Sequence, residues 1–433
     1  MSKYYLNGID WVVQALNRQC RKTPSRNNGF LIAIELEGAI SGKELRKFLK
    51  GANAVSKLLS GRSSRQKFHL APYWKISDKD LNISVECLKA SPDSNLGKLA
   101  EDFANRPFRD KYEHLAVRLI FRGENSLLLF KFDHLLFDGG GGELFLAELS
   151  EALESGKVPL FRRPDCLSPQ LSRWSDKFES GRNVNRFLLD LNDHGKRSFF
   201  TFYPQRSGIF SSNRFRVLHI PAGQARAFFA AGEKQLGPFM DTPFLLAAIF
   251  NALAGLAKER GTRDDDFILL PVTVDLRSPR ERKKRIFFNQ WSMAPFLLPA
   301  AAASESAAAG KLKEQFAELI KSKFLPDLDK ANLLMRIVSL PLFTKMASGI
   351  FAGTSGSCSF AFLPDSAFKT GTFAGKKIKN LLHLPLIPPK PGIGIFINRC
   401  NEALNIVISF REGIISETEL ETLFEALRKA FKA

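Results

Sequence analysis

A chain of 433 residues, 45% hydrophobic and 25% charged, has enough apolar side chains for a large core. This excludes wholesale disorder and leads us to expect two or three domain-sized units. The formal net charge is +19, which calls for anionic partners: nucleic acid, acidic lipid, a phosphate-bearing cofactor or an acidic protein. The five cysteines (Cys20, Cys87, Cys166, Cys358 and Cys400) are scattered, odd in number and never in a C-x-x-C pair. That pattern argues against a disulfide framework or a zinc site and suits a reducing compartment. The N-terminus lacks the apolar region of a signal peptide, and the longest apolar run, 244–257, is interrupted by Asn251 and too short to span a bilayer. A cytoplasmic protein is expected, peripheral at the membrane at most.

Residues 7–19 place Ile9, Val12, Val13 and Leu16 at helical spacing. A strand is expected at 30–36. Ser41 and Glu44 then form a capping-box pair that opens a helix to about residue 55. Strands are expected at 115–121 and 126–133, joined by a hairpin turn at Gly123-Glu124-Asn125. A Gly-rich turn at 139–142 follows, then a helix at 143–154. Residues 157–200 show little periodicity and read as a connector. Beyond them come a strand at 214–220 and a long apolar helix to about residue 260. Asp241-Thr242-Pro243 supplies the N-cap and early proline for that helix. A buried strand at 267–274 precedes an Ala-rich helix at 300–323. Strands at 357–363, 393–398 and 403–410 lead to a last helix, opened by the capping-box pair Ser416 and Glu419. The alternation of strands and helices in both halves implies two α/β or α+β lobes.

Several segments carry residues suited to chemistry. His134-x-x-x-Asp138-Gly139 sets a titratable ring at a strand end beside the glycines. Imidazole is the side chain best matched to proton transfer near neutral pH. By residue type alone, a strand-end histidine bonded to backbone competes with a general base. In Leu270-Pro271-Val272-Thr273-Val274-Asp275-Leu276-Arg277 a buried strand ends in an acid and then an arginine. Phe287-Phe288-Asn289-Gln290-Trp291 offers Asn289 either to orient a substrate or to bond backbone. Near the C-terminus, Gly356-Ser357-Cys358-Ser359 precedes Pro388-Pro389-Lys390-Pro391-Gly392. A basic run of Arg277, Arg280, Arg282, Lys283, Lys284 and Arg285, interrupted by Glu281, reads as a solvated loop or as an anion site, to which Lys376, Lys377 and Lys379 could add.

The order and spacing of these segments resemble the CoA-dependent acyltransferase superfamily. That superfamily includes chloramphenicol acetyltransferase, the condensation domains of peptide synthetases and the bacterial wax ester synthase/diacylglycerol acyltransferase group. Its members carry an H-H-x-x-x-D-G motif in the first half, and many carry a P-V-x-x-R strand end in the second. Here the two lie about 140 residues apart. The opening Leu6-Asn7-Gly8-Ile9-Asp10-Trp11 resembles the start of wax-synthase-like members.

The resemblance implies an α/β (α+β) fold of two chloramphenicol-acetyltransferase-like lobes. Each would be a mixed sheet with flanking helices, set around a central channel, with lobes at 1–170 and 171–433. It implies His134 as general base, Asp138 with Gly139 and Arg277 as the organising constellation, and Asn289 at the channel. Ser357 or Ser359 would donate to the oxyanion. Lys283, Lys284 and Arg285 would bind the phosphates of CoA, an acidic carrier protein or anionic lipid headgroups. The implied activity is transfer of an acyl group from an acyl-CoA or phosphopantetheine thioester to an alcohol, amine or lipid acceptor, by a monomer with no permanently bound cofactor. The 39 Phe, read from residue type as core filler, lean weakly toward a long acyl chain.

Departures from the motif also count. Asp133 replaces its first His and borders the substrate channel. A carboxylate close to the ring would raise the His134 pKa. Asp133 therefore supports an alternative in which a catalytically inactive homologue binds a lipid or acyl carrier protein. The D-F-G-W-G segment of the plant acyltransferases is absent. A basic protein acting on membranes or nucleic acid rests on charge alone, and nucleic acid is disfavoured because no recognised binding fold accompanies the basic stretches.

Overall fold

The computed structural model describes residues 3–53, 57–65, 71–77, 83–157, 161, 173–202, 211–301, 305–347 and 356–432. In chain order the first part contains β1 (Lys3–Tyr5), α1 (Gly8–Cys20), β2 (Gly29–Leu36), α2 (Gly42–Asn53), β3 (Arg62–Ser64), β4 (Tyr73–Lys75) and β5 (Ser84–Lys89). It continues with α3 (Leu96–Asn105), β6 (Leu115–Arg122), β7 (Asn125–Asp133), α4 (Gly139–Ser155) and α5 (Trp174–Leu191). Next come β8 (Asn213–Ile220), α6 (Ala222–Leu236), α7 (Asp241–Glu259), β9 (Phe267–Asp275), β10 (Trp291–Pro299), α8 (Glu305–Lys321), α9 (Phe324–Met335) and α10 (Leu340–Ala347). The chain closes with β11 (Ser359–Leu363), β12 (Thr372–Phe373), β13 (Lys376–Pro385), β14 (Ile393–Cys400), β15 (Ala403–Arg411) and α11 (Glu417–Ala430).

Two six-stranded mixed sheets organise these elements, with a small sheet of β1, β4 and β3 at one side. The first sheet runs β12-β13-β2-β7-β6-β5, and β5 and β6 are its parallel pair. The second runs β10-β9-β11-β14-β15-β8, with β11 parallel to both of its neighbours. Strand β2 reads as a continuous apolar run because both faces of its sheet are covered. Its Phe30, Ile32, Ile34 and Leu36 enter one core, and Leu31 and Ala33 enter another, as the two-residue period of a strand requires. The second sheet buries its inner face against α7, whose residues are apolar on all sides and almost all buried.

The sheets are tied together in two ways. Phe215 and Val407 of the second sheet join Leu31, Leu129 and Leu384 of the first in a shared core. Strand β13, from the last part of the chain, pairs with β2, setting His383 opposite Ile32.

The hairpin of β6 and β7, strand β8, strand β9 and the three late strands lie where the sequence patterns place them. Both capping-box pairs open helices there too: Ser41 accepts from Glu44 N, and Ser416 and Glu419 satisfy each other reciprocally. Four expectations are corrected. Gly139–Gly142 is not a turn but the first turn of α4, capped by Asp138, whose side chain accepts from Gly141 N at 2.8 Å. The glycine there serves close approach, since a Cβ on Gly141 would lie 2.1 Å from the Ile286 carbonyl oxygen. Residues 157–200 include α5, whose periodicity is faint because only Ser180 and Val184 on it are buried. Asp241 sits inside α7 rather than capping it. The Ala-rich helix begins at Glu305. Strands β10 and β13 and helices α6, α9 and α10 carried no pattern strong enough to be expected. Of the cysteines, Cys20, Cys87, Cys358 and Cys400 are free thiols, and Cys166 lies outside the described residues.

Candidate active site

Strand β7 delivers His134 to the edge of a cavity of about 1860 Å³ that both halves of the chain line. The His134 backbone is fixed on each side: its N–H donates to Asn28 O at 3.2 Å, and its carbonyl accepts from Asn289 Nδ2 at 2.9 Å. Its ring meets Phe30 edge-on, with centroids 5.6 Å apart, and Trp291 at 6.1 Å. Among the described residues Nδ1 is buried without a hydrogen-bond partner, and the residue lines the cavity. Burial in this aromatic setting lowers the His134 pKa, and the nearby Asp138 charge opposes that only in part. The expected upward pull from Asp133 is present but small, and desolvation outweighs both carboxylates.

Asp138 and Arg277 meet across the two halves. Asp138 Oδ1 accepts from Arg277 Nη2 at 2.7 Å, and Oδ2 accepts from Gln290 N at 2.8 Å. Arg277 also donates to Asp275 Oδ1 and to the Arg285 carbonyl, so each of its three guanidinium nitrogens is engaged. Burial works against the Arg277 charge, but Asp138 and Asp275 more than offset it and raise its pKa. Both side chains are almost fully buried. Such a pair sets geometry, because the attraction is largely spent on desolvation.

Asn289 is a hub of fixed backbone. Its N–H and Nδ2 both donate to Asp10 Oδ1, its carbonyl accepts from Asn7 Nδ2, and its Oδ1 accepts from Trp291 Nε1. Asp10 and Asn7 are themselves a capping box at the start of α1. Burial pushes the Asp10 carboxyl up to about 6. The preceding Phe288 holds φ +66°, a strained value for a bulky residue, and donates its N–H to Leu136 O.

Of the residues expected here, His134, Asp138, Gly139, Arg277 and Ser359 line the cavity. The others are spent elsewhere. Asp133 accepts from Leu135 N and pairs with His114 at 2.7 Å. Asn289 bonds backbone and Asp10. Ser357 is fully buried, donating to Phe200 O and accepting from Leu269 N. Arg285 pairs with Glu281, Lys284 is exposed outside the lining, and the Lys283 side chain is outside the described residues. From the basic run, Arg277 and Arg282 reach the cavity. Lys377 pairs with Glu37, and Lys376 and Lys379 stay on β13 away from the lining. Arg18, Arg21 and Lys22 at the end of α1, with Lys323 and Lys390, supply cationic rim residues that the sequence did not flag. Among the described residues no group of three His, Cys, Asp or Glu is placed to hold a metal ion. No single described helix is long and apolar enough to cross a membrane.

No family model and no curated protein matches this chain in sequence. Its architecture does match solved structures. The first condensation domain of the CDA synthetase aligns with a TM-score of 0.69 at 15% identity, covering 99% of this chain and 95% of that one. The trichothecene 15-O-acetyltransferase of Fusarium sporotrichioides aligns with a TM-score of 0.71 at 14% identity, covering 99% and 94%. The starter condensation domain of rhizomide synthetase, a mutant solved with C8-CoA, aligns at 0.66 and 14%, covering 100% and 94%. The chain shares its fold with these condensation domains and this acetyltransferase. The shared fold accounts for the architecture of two mixed sheets. It does not by itself fix the reaction, since one fold can host many chemistries.

Two cavity residues had no signal in the sequence: Glu143, one turn into α4, and His383 on β13. They are 240 residues apart yet bonded at 2.6 Å.

Proposed function

We propose that this protein transfers an acyl group from a CoA or carrier-protein thioester to an alcohol or amine acceptor, with His134 as general base. The observation that carries this reading is the environment of His134: an imidazole on the wall of a large cavity, desolvated so that its pKa is lowered, with its backbone fixed by Asn28 and Asn289. As the acceptor oxygen or nitrogen attacks the thioester carbonyl carbon, Nε2 takes its proton. The C–S bond then breaks and the imidazolium returns that proton to the thiolate. Asp138 and Arg277 hold the segment that follows the base in register with the second sheet. Ser359, on the cavity wall, is suited to donate to the oxyanion of the tetrahedral intermediate. Apolar wall residues such as Leu16, Phe316 and Leu319 suit an acyl chain, and the cations at the rim suit thioester-carrier phosphates.

The test is thiol release from octanoyl-CoA in the presence of fatty alcohols and fatty amines. His134→Ala is expected to slow release by about 100-fold or more, the usual scale for a positioned general base. Equal release by wild type and variant would sink the mechanism and leave the cavity as a binding site.

A further inference from the structure

His383 and Glu143 form a second polar centre in the cavity wall. Glu143 is buried and its carboxylate is saturated on one side: Oε2 accepts from Ala367 N at 2.7 Å and from Ser366 Oγ at 3.1 Å. Oε1 faces His383 Nε2 at 2.6 Å. Burial alone would push the Glu143 carboxyl up, but His383 and these donors overcome it and hold it below its usual value. A carboxylate on Nε2 fixes the ring's orientation: Nε2 carries the hydrogen that Glu143 accepts, which leaves Nδ1 as the nitrogen turned away from the carboxylate. That nitrogen lies 3.6 Å from where a Cβ on Gly139 would sit, and both Gly139 and His383 line the cavity. The His383 backbone is held as well, through Asn398 Oδ1. The ring is therefore oriented by a carboxylate, with its accepting nitrogen beside the first residue of α4. Packing alone would not demand this arrangement.

We propose that His383 is a second substrate-touching residue, whose Nδ1 accepts a hydrogen bond from a hydroxyl or amine hydrogen on the acyl acceptor. The inference rests on the acyl-transfer reading above and adds where the acceptor lies. The acceptor is favoured over the thioester carrier on charge. Glu143 sets a buried carboxylate in this wall, which repels phosphate, whereas the cations of the rim attract it.

Two variants divide structure from recognition. His383→Gln keeps an amide donor near the Nε2 position for Glu143 and removes the Nδ1 acceptor. His383→Asn keeps an acceptor near the Nδ1 position and abandons Glu143. With octanoyl-CoA and the best acceptor from the alcohol and amine panel, H383Q is expected to raise the acceptor KM about tenfold, the loss of one hydrogen bond. The KM for octanoyl-CoA should stay at the wild-type value. H383N is expected to unfold at lower temperature but keep an acceptor KM close to wild type. An unchanged acceptor KM in H383Q, or an equal rise in both variants, overturns the proposal. If only H383N folds, a tenfold rise in its acceptor KM does so. The wild type and His134→Ala separate the two levels: with His134→Ala inactive and H383Q normal, only the role of His383 fails, whereas a wild type that releases no thiol from octanoyl-CoA with any acceptor fails the acyl-transfer reading first.

Discussion

His114 and His383 are chemically alike and differently placed. Each is 3% exposed, and each pairs with a buried carboxylate: Asp133 at 2.7 Å for His114, Glu143 at 2.6 Å for His383. The difference lies in the second ring nitrogen. His114 Nε2 faces Gly61 O at 2.8 Å, its ring packs 4.8 Å from that of Trp74, and it does not line the cavity. His383 Nδ1 faces no such carbonyl and borders the cavity. A histidine with both nitrogens engaged is a structural clamp that joins β7 to the β1-β4-β3 side of the molecule. A histidine with one nitrogen engaged is oriented for a ligand. His134 is a third case: it has no carboxylate on its ring, and desolvation lowers its pKa.

The comparison can be broken most sharply by charge removal. Arg277→Met takes the buried cation from Asp138 and should cost about 3–5 kcal/mol, as breaking a buried pair does. Urea unfolding measures this, and a loss below about 1 kcal/mol would show the two halves to be joined by other contacts. His114→Phe should cost about 2–3 kcal/mol by stranding the Asp133 carboxylate, while folded protein keeps its acceptor KM. A selective KM change there, without loss of stability, would erase the distinction between the two histidines.

Asn289→Ala removes the side-chain anchor of the His134 carbonyl and one donor to Asp10. About 1–2 kcal/mol of stability and about tenfold in kcat should go, with substrate KM values little changed. The gentlest test is pH. Because burial lowers the His134 pKa from 6.5, the base stays neutral as pH falls past that value. The acid limb of kcat/KM for thiol release should therefore lie below pH 6.5, and an acid limb above it would contradict the desolvated setting. The same shift makes the unfolded chain the better proton acceptor, so the His134 contribution to stability falls as pH drops below 6.5.

Much of the site was legible locally. His134 and Asp138 sit four residues apart at a strand end, and apolar alternation marked β7 and β9, which position His134 and Arg277. The glycines were legible as special but not for the right reason. A run of four reads as a turn by conformational freedom, yet at Gly141 the decisive fact is an Ile286 carbonyl 145 residues away in sequence. Asp133 was misread for a related reason. Adjacency in sequence put it next to His134, but successive residues of a strand face opposite sides, and its carboxylate turned to His114. Strand β13 was missed because its exposed lysines mask the buried half that carries His383.

The meeting of Asp138 with Arg277 was implied only by the family resemblance, whereas the order of residues alone determined alternating strands and helices in both halves and a histidine at a strand end. Those features depend on periodicity, capping and spacing within a few residues, which local physics controls. Only the tertiary structure decided which polar groups face the cavity. Burial, the loss of water and the pairing of Glu143 with His383 arise when distant segments close on one another, and no local pattern encodes the direction in which a ring nitrogen is left open.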